Sequence, residues 1–518
     1  MGDSTVIKRI VPPPDPWRWP MRGMFVVLLA ALVAYGFRCV ERGRYEPPDP
    51  THSPEAQRKR EHRGCDFTAY YSAGEVARQG GNIYKDWRNS STPYRPFIYP
   101  PMFAIFPMAP LSLLPHNDAL AAFFVLKVLL LLAALWMLGQ VFWAAAPRAF
   151  WQRRGVGLFL AVLCCGRVFD ADFGANNANV VILFLMVLGM YLLTRERRAL
   201  GGISSGLAVA LATVFKLTPG LFGLYFLWSR RVWAMAGGAL GLALFLFVIP
   251  SLVLGHENNI SFLRAIYVYA SGQAGQAVTA GEDPGLESAE DSDTVVGWGS
   301  DLPATDGPPR AFGISLRGTF QKLFSESLAL NHARAGEDPT VNILDLPPHT
   351  AQKLAGLLSL ALLALTVFLT ANRTARATPL GTGLSWALLA VTILLVAPLT
   401  RKAHCVLLVI PIAALVASIQ LDRHGGLARA LAWGALFLLF GVGTFTSSDF
   451  FRIFLPGAEA KSISNYFHAI GCFTFAMLGV YAAVAMALWS HIEEAQPGKW
   501  PVDLRGAKPP AAVALSKK

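Results

Sequence analysis

Residues 118–146 read DALAAFFVLKVLLLLAALWMLGQVFWAAA. A bilayer core takes about 20 apolar residues of helix, and this run is long enough to cross it. Comparable runs lie near 22–40, 155–170, 178–194, 202–214, 218–228, 232–254, 352–371, 382–399, 403–420, 427–446 and 466–490. Together they predict an all-α polytopic membrane protein with about 12 transmembrane helices, two of them short. The composition agrees. Of 518 residues, 54% are hydrophobic and only 15% charged, against roughly 25% charged in soluble domains.

The net charge of +12 invites a nucleic-acid reading. However, the Lys and Arg residues sit in short loops between apolar runs, which is the pattern of membrane topology. No nucleic-acid partner is expected. The first apolar run, Met24 to Phe37, is followed by Arg38, Glu41, Arg42 and Arg44 without a small-residue cleavage site, so it reads as a retained anchor. The cysteines lack metal-type spacing. Neither a nucleotide-binding glycine loop nor a zinc motif is present, and no cofactor or metal is expected.

The charge rule gives one consistent topology. Lys8, Arg9, Arg18 and Arg22 place the N-terminal tail, residues 1–21, in the cytoplasm. Arg148, Arg153, Arg154, Arg195, Arg197, Arg198, Arg230, Arg231, Arg373, Arg376, Arg423 and Arg429 then fall inside, as does the tail 491–518. The membrane domain is 22–490. This topology requires that 97–115 not cross. Pro100, Pro101, Pro107, Pro110 and Pro115 break that segment repeatedly, so it reads as an interfacial or re-entrant piece. The outer face receives the loops 41–117 and 255–351, and juxtamembrane helices are expected in the first. Within the second, 271–310 has the Gly-, Pro- and acid-rich composition of a disordered insert. A plasma-membrane, multi-pass protein with its active site outside follows.

The unusual residues all fall on that face. Asp66, in Cys65-Asp66-Phe67-Thr68-Ala69-Tyr70-Tyr71, could take a proton from an acceptor hydroxyl at the lipid–water boundary. It could equally cap a helix over 68–77. Lys216, before Leu217-Thr218-Pro219 and between two short apolar runs, suits an anion such as phosphate, or snorkelling toward a headgroup. Arg401, Lys402 and His404 carry positive charge where the charge rule disfavours it, which suggests an anionic ligand. A histidine opening an apolar helix can also be a satisfied core residue. Asp170, Asp172, Asn176, Asn177 and Asn179 form a polar turn able to bind hydroxyls. Capping of the helix that starts near Asn179 explains one of them but not the group. The aromatics of the first loop, Tyr70 and Tyr99 among them, match either a sugar-stacking surface or an interfacial belt.

These pieces, in order, resemble the polyprenol-phosphate-mannose-dependent mannosyltransferases of glycosyltransferase family 87, which have the GT-C membrane fold. The likeness runs through Asp66-Phe67 with Tyr70, Asn82-Ile83-Tyr84, Tyr99-Pro100-Pro101, Ala109-Pro110-Leu111, Leu114-Pro115, Lys216 with Pro219, Ser315-Leu316-Arg317-Gly318, and Pro398 with His404. Two places depart from the family pattern. Asn176-Asn177 stands where Gly-Gln is usual, and Leu399-Thr400-Arg401-Lys402 stands where Ser-x-x-Trp is usual. The resemblance implies a GT-C fold and transfer of a hexose, mannose in the family, from a polyprenyl-phosphate donor to a hydroxyl of a lipid or glycan acceptor, with inversion. It implies Asp66 as the catalytic base. Lys216, Arg401, Lys402 and His404 would bind the donor phosphate. Tyr70, Tyr99, Asp170, Asp172, Asn176, Asn177 and Asn179 would contact sugar or acceptor. The rival readings are a secondary transporter, which also uses many helices and short broken ones, and an O-antigen-ligase-like enzyme using lipid-linked sugars. Against the transporter, no two-fold internal repeat is visible.

Overall fold

The computed structural model describes residues 34–45, 66–84, 86–92, 97, 99–144, 151–195, 199–260, 313–326, 341–398, 400–421 and 426–494. Every regular element among them is helical. In chain order they are α1 (34–43), α2 (Asp66–Arg78), α3 (Pro101–Leu111), α4 (His116–Phe142), α5 (Trp151–Cys164), α6 (Gly166–Gly174), α7 (Asn179–Arg195), α8 (Ala199–Phe215), α9 (Gly220–Trp228) and α10 (Val232–Leu254). The second half comprises α11 (Leu316–Phe324), α12 (Pro348–Ala371), α13 (Pro379–Val396), α14 (Lys402–Gln420), α15 (Gly426–Phe445), α16 (Ser448–Phe451), α17 (Gly457–Ala469) and α18 (Cys472–Glu494).

Seven described helices are long and apolar enough to cross a membrane: α4, α10, α12, α13, α14, α15 and α18. The sequence count of about twelve is therefore not reproduced in full. The expected spans at 178–194 and 202–214 are the 17-residue helices α7 and α8, apolar but shorter. Most of the expected first span, the insert 271–310, the tail 1–21 and residues 495–518 lie outside the described residues. The pair α8–α9 turns back at Lys216 to Pro219, as the flanking arginines required. α3 is only 11 residues, about 16 Å of helix, and it widens to a π-turn at Ala104–Met108 around Pro107. Proline has no amide hydrogen to give to the ladder, and the wider turn accommodates its ring.

Burial orders the bundle. Nearly every residue of α13 and of α14 from Cys405 onward is buried, so this pair forms the centre. Phe222 and Phe226 of α9 pack against the fully buried Trp386 of α13, with ring centroids 4.8 and 6.3 Å apart. By contrast α10, α12 and α15 turn large apolar side chains outward, for example Leu252, Leu357 and Phe437, as lipid-facing helices do. One expectation is corrected. Asp170 and Asp172 do not lie in an open turn; they belong to the last turns of α6, and only residues 175–178 link it to α7.

α8 and α10 cross at backbone contact through glycines. A Cβ at Gly206 would stand 2.1 Å from the Ala234 carbonyl oxygen, and one at Gly237 would stand 2.1 Å from that of Ile203. Small residues permit such approach between membrane helices. Gly206→Val or Gly237→Val is expected to cost about 1–3 kcal/mol. Thermal unfolding in detergent checks this: both variants should melt earlier, whereas Gly434→Ala, whose Cβ meets nothing within 4 Å, should not.

Candidate active site

The site is built on the junction of α6 and α7. Lys127 of α4 and Asp172 of α6 form an ion pair at 2.7 Å, and both side chains are fully buried. Lys127 also donates to the Asp172 carbonyl at 3.2 Å and lies over the Phe173 ring. A charge at this depth survives only with a partner. The other Asp172 oxygen accepts from the Asn179 backbone N–H at 3.2 Å and from its Nδ2 at 3.0 Å. The aspartate thus caps α7 from within the preceding helix.

The chain then folds so that each amide has one possible orientation. Asn176 adopts φ +49°, a left-handed conformation that asparagine tolerates, and donates to the Cys39 carbonyl of α1 at 3.3 Å. The Asn177 Oδ1 accepts from the Ala178 N–H at 2.7 Å and from Asn179 Nδ2 at 2.8 Å. Its Nδ2 is thereby directed at the Asp66 carboxylate, to which it donates a short hydrogen bond. The Asn179 Nδ2 is shared between Asp172 and Asn177, so its Oδ1 faces Lys216 and accepts from Nζ at 2.8 Å. Asp66 and Lys216 are therefore the ends of one chain of three hydrogen bonds. The Asp66 backbone N–H donates to the Ala175 carbonyl at 3.1 Å, which fixes the start of α2 on the same junction.

A small crevice of about 10 Å³, room for about one water, lies beyond Lys216. Asn179, Lys216, Thr218, Thr400 and His404 are among its lining residues. The turn before α14 is held by His404, whose N–H donates to the Arg401 carbonyl at 2.9 Å. The same turn is tied to α11: Ile314 N–H donates to the Thr400 carbonyl at 2.7 Å, and Ser315 Oγ to that of Pro398 at 3.5 Å. Burial pulls the Lys216 ammonium down to about 7; Asp172 opposes this and Arg401 adds to it. The Lys216 ammonium stands 5.5 Å from the Tyr99 ring centroid, and Tyr70 meets Tyr99 edge-on at 5.5 Å.

Thus Asp66, Tyr70, Tyr99, Asp172, Asn176, Asn177, Asn179, Lys216 and His404 belong to one assembly, with exposed Arg401 at its edge. Two sequence candidates lie elsewhere. Asp170 accepts from Tyr35 Oη at 2.6 Å and pairs with Arg167 at 2.6 Å. Lys402 faces Arg167, Asp170 and Asp449. The residue missed by sequence reasoning is Lys127. Its signal was a single lysine midway through the most apolar run of the chain, which has no acid within a helical turn to pair with.

Residues 97–284 match the model of Glycosyltransferase family 87, the family that the sequence motifs resemble. Two solved structures are weakly similar to the chain: ArnT from Cupriavidus metallidurans in the apo state, and ArnT from the same organism bound to undecaprenyl phosphate. Each is 14% identical, with 91% of this chain and 77% of that chain covered and a TM-score of 0.36. No curated protein matches the chain. The apolar helices make the chain a polytopic membrane protein, and the part of it over residues 97–284 is similar to a glycosyltransferase family.

The ion pair can be tested by a double-mutant cycle. Lys127→Met or Asp172→Leu alone leaves a buried charge unpaired and should cost about 3–5 kcal/mol. The double variant should recover part of that loss in detergent unfolding.

Proposed function

We propose that the chain transfers a hexose, mannose by family resemblance, from a polyprenyl-phosphate donor to a hydroxyl of a lipid or glycan acceptor at the outer face of the membrane. The observation that carries this reading is the hydrogen-bonded chain from Asp66 to Lys216, which sets a carboxylate and a cation at two ends of one rigid turn.

Asp66 is half-buried at the start of α2, open enough to receive a hydroxyl. Asn177 stabilises the carboxylate that takes the acceptor proton. The acceptor oxygen, stripped of that proton, attacks the anomeric carbon from the side opposite the phosphate. The carbon–oxygen bond to the donor phosphate breaks as the new glycosidic bond forms, so the configuration inverts. The departing group is a phosphate and carries its charge without protonation. Lys216, Arg401 and His404 supply the positive field and hydrogen bonds that hold it. Lys216 can be displaced from Asn179 toward a phosphate oxygen without leaving the crevice. Because that crevice admits about one water, donor entry requires the turn 397–404 to part from Lys216. Tyr70 and Tyr99 would face the sugar.

A transfer assay with labelled polyprenyl-phosphate-mannose and membrane glycolipid tests the assignment. Asp66→Asn keeps the shape but not the base, and turnover should fall by about 10²–10⁴-fold. Full activity in this variant would refute the role, and solute uptake by proteoliposomes without transfer would favour a transporter.

The Lys216 charge makes donor affinity depend on pH. The free ammonium loses its proton near pH 7, whereas a bound phosphate favours the charged form. Affinity should therefore be greatest below pH 7 and fall by up to ~10-fold per pH unit above it, until the bound-state pKa is reached. Donor KM measured from pH 6 to 9 checks this, and Lys216→Arg should flatten the profile.

A further inference from the structure

A second cationic centre lies on the other side of α14, where α6, α11, α16 and α17 meet. Arg167 of α6 pairs with Asp170 at 2.6 Å and with Asp449 of α16 at 2.9 Å. Arg452 reaches the other Asp449 oxygen at 3.4 Å. Both carboxylates are thereby engaged. Lys322 of α11 is buried and, among the described residues, donates only to carbonyls, to Gly313 at 2.8 Å and His468 at 3.5 Å. Lys402 of α14 has no hydrogen-bond or ion-pair partner among the described residues. Among the described residues, Arg167 and Arg452 take up Asp170 and Asp449, and Lys322 and Lys402 have no ion-pair partner.

The polar atoms between them are also unsatisfied. Both ring nitrogens of His468 are buried without a hydrogen bond among the described residues, and so is Arg167 Nε. Such groups are rare in a folded protein, and each calls for a ligand or water. Lys402, Lys322 and Arg167 all lie within electrostatic reach of the His468 ring. Together with burial, which acts most, they hold its pKa down at about 3, so the imidazole is neutral and offers one donor and one acceptor. Two ammonium groups and the Arg167 Nε–H thus gather around the His468 ring, a set of donors that suits an anion with several acceptor oxygens.

The surroundings indicate how that anion arrives. The elements bearing the cluster also expose large apolar side chains: Ile453 and Phe454 after α16 and Tyr466 on α17. Exposed apolar side chains together with cations match a lipid headgroup region rather than an aqueous anion. We propose that Arg167, Lys322, Lys402 and His468 bind the phosphate of an anionic lipid headgroup, at a site separate from the Lys216 crevice. On the transferase reading above, which this assignment extends, the centre would anchor a phosphate-bearing lipid acceptor while its hydroxyl reaches Asp66. The binding itself does not depend on that reading.

The test is binding, read as thermal stabilisation of the purified protein in neutral detergent on titration with short-chain phosphatidylglycerol, and separately with inorganic phosphate. The wild type should show a saturable upward shift with the phospholipid. Lys402→Gln removes a side chain without a hydrogen bond, so it should fold normally and weaken this binding about 10- to 100-fold. Lys402→Arg should keep it, and so should Lys216→Gln, which lies in the other centre. A shift with inorganic phosphate alone would overturn the lipid assignment. No shift with either probe, or an undiminished shift in Lys402→Gln, would overturn the site. Loss of transfer in Asp66→Asn with phospholipid binding intact separates this result from the fate of the catalytic proposal.

Discussion

The buried pair Lys127–Asp172 is the interaction on which the site depends. Removing both charges from water costs several kcal/mol per ion, and only close approach and satisfied hydrogen bonds offset this. The protein supplies both: a 2.7 Å contact and donors from Asn179 to the remaining aspartate oxygen. The pair therefore does more than join α4 to α6. It makes Asp172 a full-charge acceptor at the start of α7, and that acceptor determines which way Asn179 points. Asn179 in turn determines the orientation of Asn177, and Asn177 presents its amide to Asp66. One electrostatic constraint deep in the bundle is passed outward, bond by bond, to a carboxylate at the bundle edge.

The same constraint explains why the polar residues divide as they do. Asp172 faces inward to Lys127, whereas Asp170, two residues earlier on the same helix, faces Tyr35 and Arg167. A two-residue step on a helix rotates a side chain about 200°, so the two acids must serve opposite sides. The basic residues at the start of α14 divide likewise. Arg401 lies toward Lys216, and Lys402 lies toward Arg167 and Asp449. Two separate positive centres result, one on each side of α14.

Much of this was legible in the sequence because lipid imposes simple rules. Helix positions follow from apolar length. The α8–α9 turn follows from arginines on both flanks. The shortness of α3 and its π-turn follow from its prolines. The crowding of asparagines at 176–179 announced that one turn does more than cap a helix. What the sequence left open was the direction of each side chain. Asp170 and Asp172 look equivalent in a string but differ in helical phase. Arg401 and Lys402 look like one cluster but diverge from it. The partner of Asp172 is 45 residues away, on a helix whose apolar run hides it, and only packing brings the two together. Among the described residues several of the expected spans are helices of 17 residues or fewer, so apolar length alone does not mark them as crossings.

The central claim is that Asp66 acts in the chemical step and is not merely a cap on α2. Equilibrium binding of polyprenyl-phosphate-mannose to the Asp66→Asn protein tests it most directly, because the amide can replace the structural hydrogen bonds but cannot accept a proton. Donor affinity within about twofold of wild type, in a protein that no longer turns over, is the expected result. Loss of donor affinity together with turnover would contradict it and reduce Asp66 to a structural residue.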